Sequence, residues 1–203
     1  MLKAFLSIIA IAIIVMTFTI SGNATLEIGK PAPDFTVTDT NNKVFSLTGH
    51  EGKIVVLEWT NHDCPFVRKH YSSGNMQALQ KKYTEQGVHW ASVVSSAKGK
   101  QGNVSAEKAN ELSASRNASP THVILDPSGE IGRLFGAKTT PHIFIIDAEG
   151  TLVYQGAIDS KPSANPADIP EAKNYISAAL DEILAGKPVS EPKTQQYGCS
   201  VKY

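Results

Sequence analysis

The sequence predicts an α/β layer fold built on a mixed central sheet, and three observations carry this. Strand-like runs alternate with helix-like ones through the middle of the chain, from Lys53–Glu58 (KIVVLE) to His122–Leu125. A four-residue turn, Asp147-Ala148-Glu149-Gly150, then joins two more apolar runs, and an amphipathic helix follows them. Strands linked through helices are most simply parallel, whereas strands linked by a tight turn must be antiparallel. The expected sheet is therefore mixed, with helices on both faces.

The elements follow in order. Ala4 to Ile20 is an uncharged apolar run behind Lys3, and small residues at Gly22 and Ala24 follow it. A basic start, an apolar stretch and a small-residue site make an export signal, so residues 1–24 are expected to direct the chain to the periplasm or the exterior. Retention of this segment would make it an N-terminal membrane anchor. Phe35 and Val37, then Phe45 and Leu47, alternate about the turn-prone Asp39 to Asn42, which predicts an N-terminal hairpin extension. Lys53–Glu58 lacks strict alternation, as suits a central strand covered on both faces. Pro65 to Gln86 has helical spacing, interrupted at Ser72-Ser73-Gly74 where a kink or break is expected. Val88–Val94 is a second strand.

Ser95 to Pro120 reads as a polar insertion with a short helix from Ser105, which can cap it. His122–Leu125 is a strand, Glu130–Phe135 a short helix, and Ile143–Ile146 and Leu152–Ile158 the hairpin strands. A final helix is predicted over Ile169 to Ala185, with Ile176, Ala179, Leu180 and Ile183 on one stripe. Residues 25–188 form one domain, and 189–203 a flexible tail carrying Cys199.

The 203 residues contain 19 basic and 19 acidic side chains, so nothing points to nucleic acid or an anionic membrane as partner. The two cysteines, Cys64 and Cys199, are too few for a disulfide scaffold, and their reactivity is the question. Cys64 follows a strand and opens a helix, with Pro65 suited to the first helical turn. Unpaired N–H groups and the helix dipole favour a thiolate there, and the thiolate is the nucleophile. His62, Arg68 and Lys69 are positioned to add positive charge, and Asp63 opposes them. Thr140-Pro141 precedes the His142–Ile146 strand, and periodicity alone favours an ordinary trans bond.

Val55–Val67 (VVLEWTNHDCPFV) and Leu125–Asp147 (LDPSGEIGRLFGAKTTPHIFIID) resemble the thioredoxin-like superfamily, in its redoxin or peroxiredoxin-like (AhpC/TSA-related) branch. The ending Gly198–Tyr203 (GCSVKY), together with Cys64-Pro65-Phe66-Val67, is similar to a group of peroxiredoxin-like proteins. The resemblance implies a thioredoxin-like fold and a thiol–disulfide oxidoreductase or peroxiredoxin-like antioxidant. Cys64 falls on the attacking cysteine, with Pro65 behind it. Pro141 falls on the cis-proline whose loop receives extended substrate, and Thr140 would offer backbone hydrogen bonds there. Glu58 falls on a buried carboxylate that relays protons; a strand-end Glu reaching solvent is the alternative. The implied partner is a thiol or disulfide protein, with peroxide as a second candidate and no organic cofactor.

The departures are specific. Val67 replaces the second cysteine of Cys-x-x-Cys. Leu57 and Asn61 stand where peroxiredoxins keep proline and a hydroxyl residue, and Pro141 falls near their arginine, which argues against efficient peroxide reduction. Cys199 then becomes the candidate resolving cysteine. A static bridge, worth about 5 kcal/mol in the chain-entropy model, and an unpaired thiol are the alternatives. Two other classes of function compete with redox chemistry. One is copper or zinc binding through Cys64 with His62 and His142, although Arg68 fills the place of a copper carrier's second cysteine. The other is a non-catalytic interaction protein on the same fold.

Overall fold

The computed structural model describes residues 26–203. The export segment expected at 1–24 lies outside the described residues.

β1 (Thr36–Thr38) and β2 (Val44–Ser46) form the expected antiparallel hairpin. Asp39 closes its turn by accepting from the backbone N–H groups of Asn41 and Lys43. A 3-10 turn, Thr48–His50, leads into β3 (Val55–Trp59), all five residues of which are buried. The expected break in the next helix is real. α1 (Pro65–Ser72) and α2 (Asn75–Thr84) are separated at Gly74, whose φ of +76° no helix interior tolerates. β4 (His89–Val94) follows, then α3 (Ala106–Ser115), capped by Ser105 as its sequence suggests. β5 (His122–Leu125), α4 (Glu130–Leu134), the short β6 (Thr139–Thr140), β7 (His142–Ile146) and β8 (Leu152–Gly156) complete the core order.

The last helix corrects the sequence expectation. α5 runs only over Tyr175–Leu184, and Pro166–Glu171 forms a separate 3-10 turn. Pro170 cannot donate to an α-helical ladder, and Asn174 caps the true start by accepting from the Ser177 N–H.

The main sheet has the order β5-β4-β3-β7-β8, with β3 central. β3, β4 and β5 are parallel, and β7 and β8 antiparallel, as the connections require. Side chains alternate between two cores. Val56 faces Tyr71 of α1, Leu79 and Tyr83 of α2 and Leu180 of α5. Val55, Leu57 and Trp59 face the other way, toward Phe135 and the hairpin residue Phe45. The hairpin is thus a lid on one core and not a loose appendage.

The tail is the larger correction. It is not free: it runs beside β8, where the Gln155 N–H donates to Pro192 O and Thr194 donates back to Gln155 O. It ends in β9 (Cys199–Ser200), antiparallel to β6, with Thr140 opposite Cys199. Tyr203 then donates from its hydroxyl to Ala137 O at 2.7 Å. A pairing this far from its partner in sequence leaves no periodic signal.

Candidate active site

Cys64 occupies the N-cap of α1 because the chain turns sharply after β3. Asn61 builds that turn: its side-chain oxygen accepts from the Asp63 N–H, and its carbonyl accepts from the Cys64 N–H at 3.0 Å. Pro65 takes the first helical position, where its missing donor costs nothing.

The Cys64 sulfur is fully buried. Two partners meet it: Thr140 O at 3.0 Å and the Cys199 sulfur at 2.8 Å. Both cysteines are free thiols. As a thiol, Cys64 donates to the Thr140 carbonyl; as a thiolate, it accepts the Cys199 S–H. Burial pushes the Cys64 thiol up, but the hydrogen bond with Cys199 and the Val67 and Cys199 backbone N–H groups outweigh it, leaving the thiol below its usual value. Burial and the adjoining Cys64 push Cys199 up to about 11. The pair is therefore asymmetric, and Cys64 is the more acidic member.

Thr140-Pro141 is a cis bond, which corrects the periodicity reading and agrees with the resemblance. Its loop carries Thr140 to the sulfur. The edge beside it, where the resemblance implies that extended substrate binds, is taken by the chain's own β9.

The neighbouring cations do not serve Cys64. Arg68 pairs with Asp63 and with the His62 carbonyl. Lys69 is buried and donates to Asp159 Oδ2 and Lys161 O, both at 2.8 Å. Tyr197 donates to the other Asp159 oxygen, and His70 Nε2 lies 3.2 Å from the Tyr197 hydroxyl. This network pins the tail two residues before Cys199. Sequence reasoning missed it because Lys69, Asp159 and Tyr197 are far apart in the chain, and Lys69 reads as a cation for Cys64 instead.

Glu58 is fully buried, which removes the solvent-reaching alternative. It accepts from Tyr71, Gln80, Trp90 and Ser92. Burial pushes its carboxyl up, against these donors. No hydrogen bond joins it to either sulfur; it ties α1 and α2 to the sheet. The three-ligand metal reading is corrected too. Among the described residues His62, Cys64 and His142 do not gather their ligand atoms. His62 sits beside Asp63, and His142 accepts from the Lys138 N–H.

A free thiol at a helix start, facing a cis-proline loop on a sheet of this order, defines a thioredoxin-like protein. Residues 28–155 match the model of the AhpC/TSA family, and the chain belongs to that family. It is 30% identical over 136 residues to the thiol-disulfide oxidoreductase ResA of Bacillus thuringiensis subsp. konkukian, covering 64% of this chain and 69% of that protein. Among solved structures, an uncharacterized conserved protein from Geobacillus kaustophilus superposes with a TM-score of 0.74 at 26% identity, over 88% of this chain and 93% of that one. A thiol:disulfide interchange protein DsbE from Chlorobium tepidum gives a TM-score of 0.52 at 29% identity, over 64% and 84%.

Proposed function

We propose that this protein is a thiol–disulfide oxidoreductase in which Cys64 attacks and Cys199 resolves. The observation that carries the reading is the 2.8 Å approach of the two sulfurs at a helix N-terminus, with Cys64 the more acidic. The ResA and DsbE relatives support the reaction class.

In the reductive direction the Cys64 thiolate attacks one sulfur of a substrate disulfide. A Cys64–substrate mixed disulfide forms and the first substrate thiolate leaves. Cys199 then loses its proton and attacks Cys64 Sγ, releasing the second substrate thiolate. The two cysteines have given two electrons, and a Cys64–Cys199 disulfide remains. A partner dithiol restores them, and the reverse sequence oxidises a substrate dithiol. Because β9 covers Cys64, a protein substrate reaches the sulfur only when the tail lifts from β6. Export, from residues 1–24, would put this cycle outside the cytoplasm, acting on thiol or disulfide proteins there.

Peroxide is the weaker substrate. Asn61 is spent on the turn before Cys64, and Leu57 is core.

The test is reduction of a disulfide-bonded protein with a small dithiol as electron source. Cys64→Ser abolishes turnover, and Cys199→Ser accumulates a mixed disulfide on Cys64. Undiminished turnover in Cys64→Ser contradicts the assignment.

A further inference from the structure

Three histidines converge at the end of the sheet opposite Cys64. Cys64 lies beyond the Trp59 end of β3, at the start of α1, whereas His89 begins β4 and is paired in register with Val55, the first residue of β3. His122 begins β5, and His50 ends the 3-10 turn that follows the hairpin. One ring nitrogen from each lies within 4.8 Å of the others.

Two of the rings are held as ligand imidazoles are held. His122 Nδ1 lies 2.8 Å from Asp39 Oδ2, and Asp39 is itself fixed by the Asn41 and Lys43 N–H groups. His50 Nδ1 lies 2.7 Å from Ser46 O. A carbonyl can only accept, so His50 carries its proton on Nδ1; the carboxylate sets the same tautomer on His122. Both leave Nε2 with a free lone pair, as outer-shell partners do at metal sites. The third ring shows the complementary fault: His89 Nδ1 is buried and meets no hydrogen-bond partner among the described residues. A buried nitrogen without a partner needs an explanation, and a bound ion supplies one. Phe45 packs against His50 and His122, walling the cluster on one side, while His50 and His89 remain partly exposed.

We propose that His50, His89 and His122 form a three-imidazole site for a borderline divalent transition ion of the Zn2+ type. Imidazole suits zinc, copper and nickel, and three protein ligands leave a fourth position open to water or another small ligand. Zinc–nitrogen bonds of about 2.0–2.1 Å put tetrahedral nitrogens about 3.3 Å apart, so the rings close by about 1.5 Å at most. His50, on a three-residue turn, is the ring best able to move. The hairpin acquires a purpose in this reading, since it supplies Asp39 and positions His50.

The experiment uses the Cys64→Ser/Cys199→Ser variant of the full chain, stripped with a chelator, so that thiols cannot bind the ion. Titration with zinc chloride in a calorimeter should show one equivalent bound, and the melting temperature should rise with zinc and fall back with chelator. His50→Gln, at a partly exposed turn, should weaken binding at least tenfold with an unchanged circular dichroism spectrum. Asp39→Asn should weaken it by about 10–100-fold. Should either variant fold poorly, the visible spectrum of Co2+ bound to the cysteine-free chain decides: three imidazoles and one open position predict the intense d–d bands of four-coordinate cobalt, and the weak bands of six-coordinate cobalt overturn the site. Absence of stoichiometric zinc binding in the cysteine-free chain overturns the proposal. So does binding that His50→Gln leaves unchanged.

Discussion

Gly198 stands so close to Thr140 that a Cβ built on it would fall 2.1 Å from the Thr140 carbonyl oxygen. Its φ of +133° is also one that side chains rarely adopt. The contact lets β9 lie flat on β6 and brings Cys199 to Cys64, 135 residues away in sequence. Gly198→Ala is therefore expected to lift the strand end. Cys64, fully buried in the parent, should alkylate at least tenfold faster with iodoacetamide, and Cys64–Cys199 disulfide formation should slow by a similar factor. Alkylation at the parental rate counts against the close approach as the tail's anchor.

The buried network at Tyr197 is a second anchor. Lys69 and Asp159 have side chains 0% and 2% exposed, so removing one charge strands the other. Lys69→Met is expected to cost about 3–5 kcal/mol in denaturant unfolding. Tyr197→Phe, which removes no charge but takes away the hydroxyl that meets Asp159, His70 and Lys69, should cost about 1–3 kcal/mol and loosen the tail. Amide exchange at Cys199 and Ser200 reports the loosening, and unchanged protection there contradicts it.

The cysteine pair makes a titration prediction. Thiolate absorbance in the parent should rise in two steps, the first below the ordinary cysteine value and the second near 11. In Cys199→Ala the single remaining step should move upward from the first, because the burial of Cys64 persists while the side-chain donor at 199 is gone. A downward move means that Cys199 does not stabilise the thiolate.

Two histidines set an acid limb. Burial holds His70 down to about 4 and His142 down to about 3. Their unfolded forms protonate near 6.5 and their folded forms do not, so stability is present above that pH and is lost as pH falls toward the folded values. Each contributes a slope of about 1.4 kcal/mol per pH unit within its window. Glu58, pushed up by burial, acts in the opposite sense, so the difference between parent and His142→Gln isolates one histidine. Melting temperatures from pH 7 to pH 4 should fall less steeply in the variant; parallel curves contradict the assignment.

Glu58 separates a structural carboxylate from a proton relay. Glu58→Gln should destabilise by about 1–3 kcal/mol by misdirecting a donor toward Trp90 or Tyr71. The pH profile of Cys64 alkylation should not move, since no hydrogen bond links Glu58 to the sulfur. A shifted profile restores the relay that the family resemblance implies.

Much of the frame was legible in the sequence. The apolar run of β3, the broken helix at Gly74 and the hairpin at Asp147–Gly150 each follow from local chemistry that one segment contains. Cys64 was legible for the same reason, as a strand-to-helix junction followed by proline. What sequence reading missed is long-range. Lys69 looked available to Cys64 but is consumed by Asp159, and the tail looked free although β6, β8 and Tyr197 hold it. The apolar stripe from Ile169 to Ala185 does not reveal where α5 starts, because Pro170 breaks the ladder and Asn174 caps the helix at Tyr175. His50, His89 and His122 carry no spacing signal, since three separate elements bring them together.

The central claim is that Cys64 and Cys199 form a working redox couple. The most direct measurement equilibrates the protein in thiol/disulfide buffers of graded potential, quenches it with acid and maps the cysteines by non-reducing mass spectrometry. The account predicts one reversible Cys64–Cys199 disulfide, with a single two-electron transition between fully reduced and fully oxidised chain. Persistent free thiols across the whole range, or mixed disulfides on Cys64 that Cys199 never displaces, would contradict it.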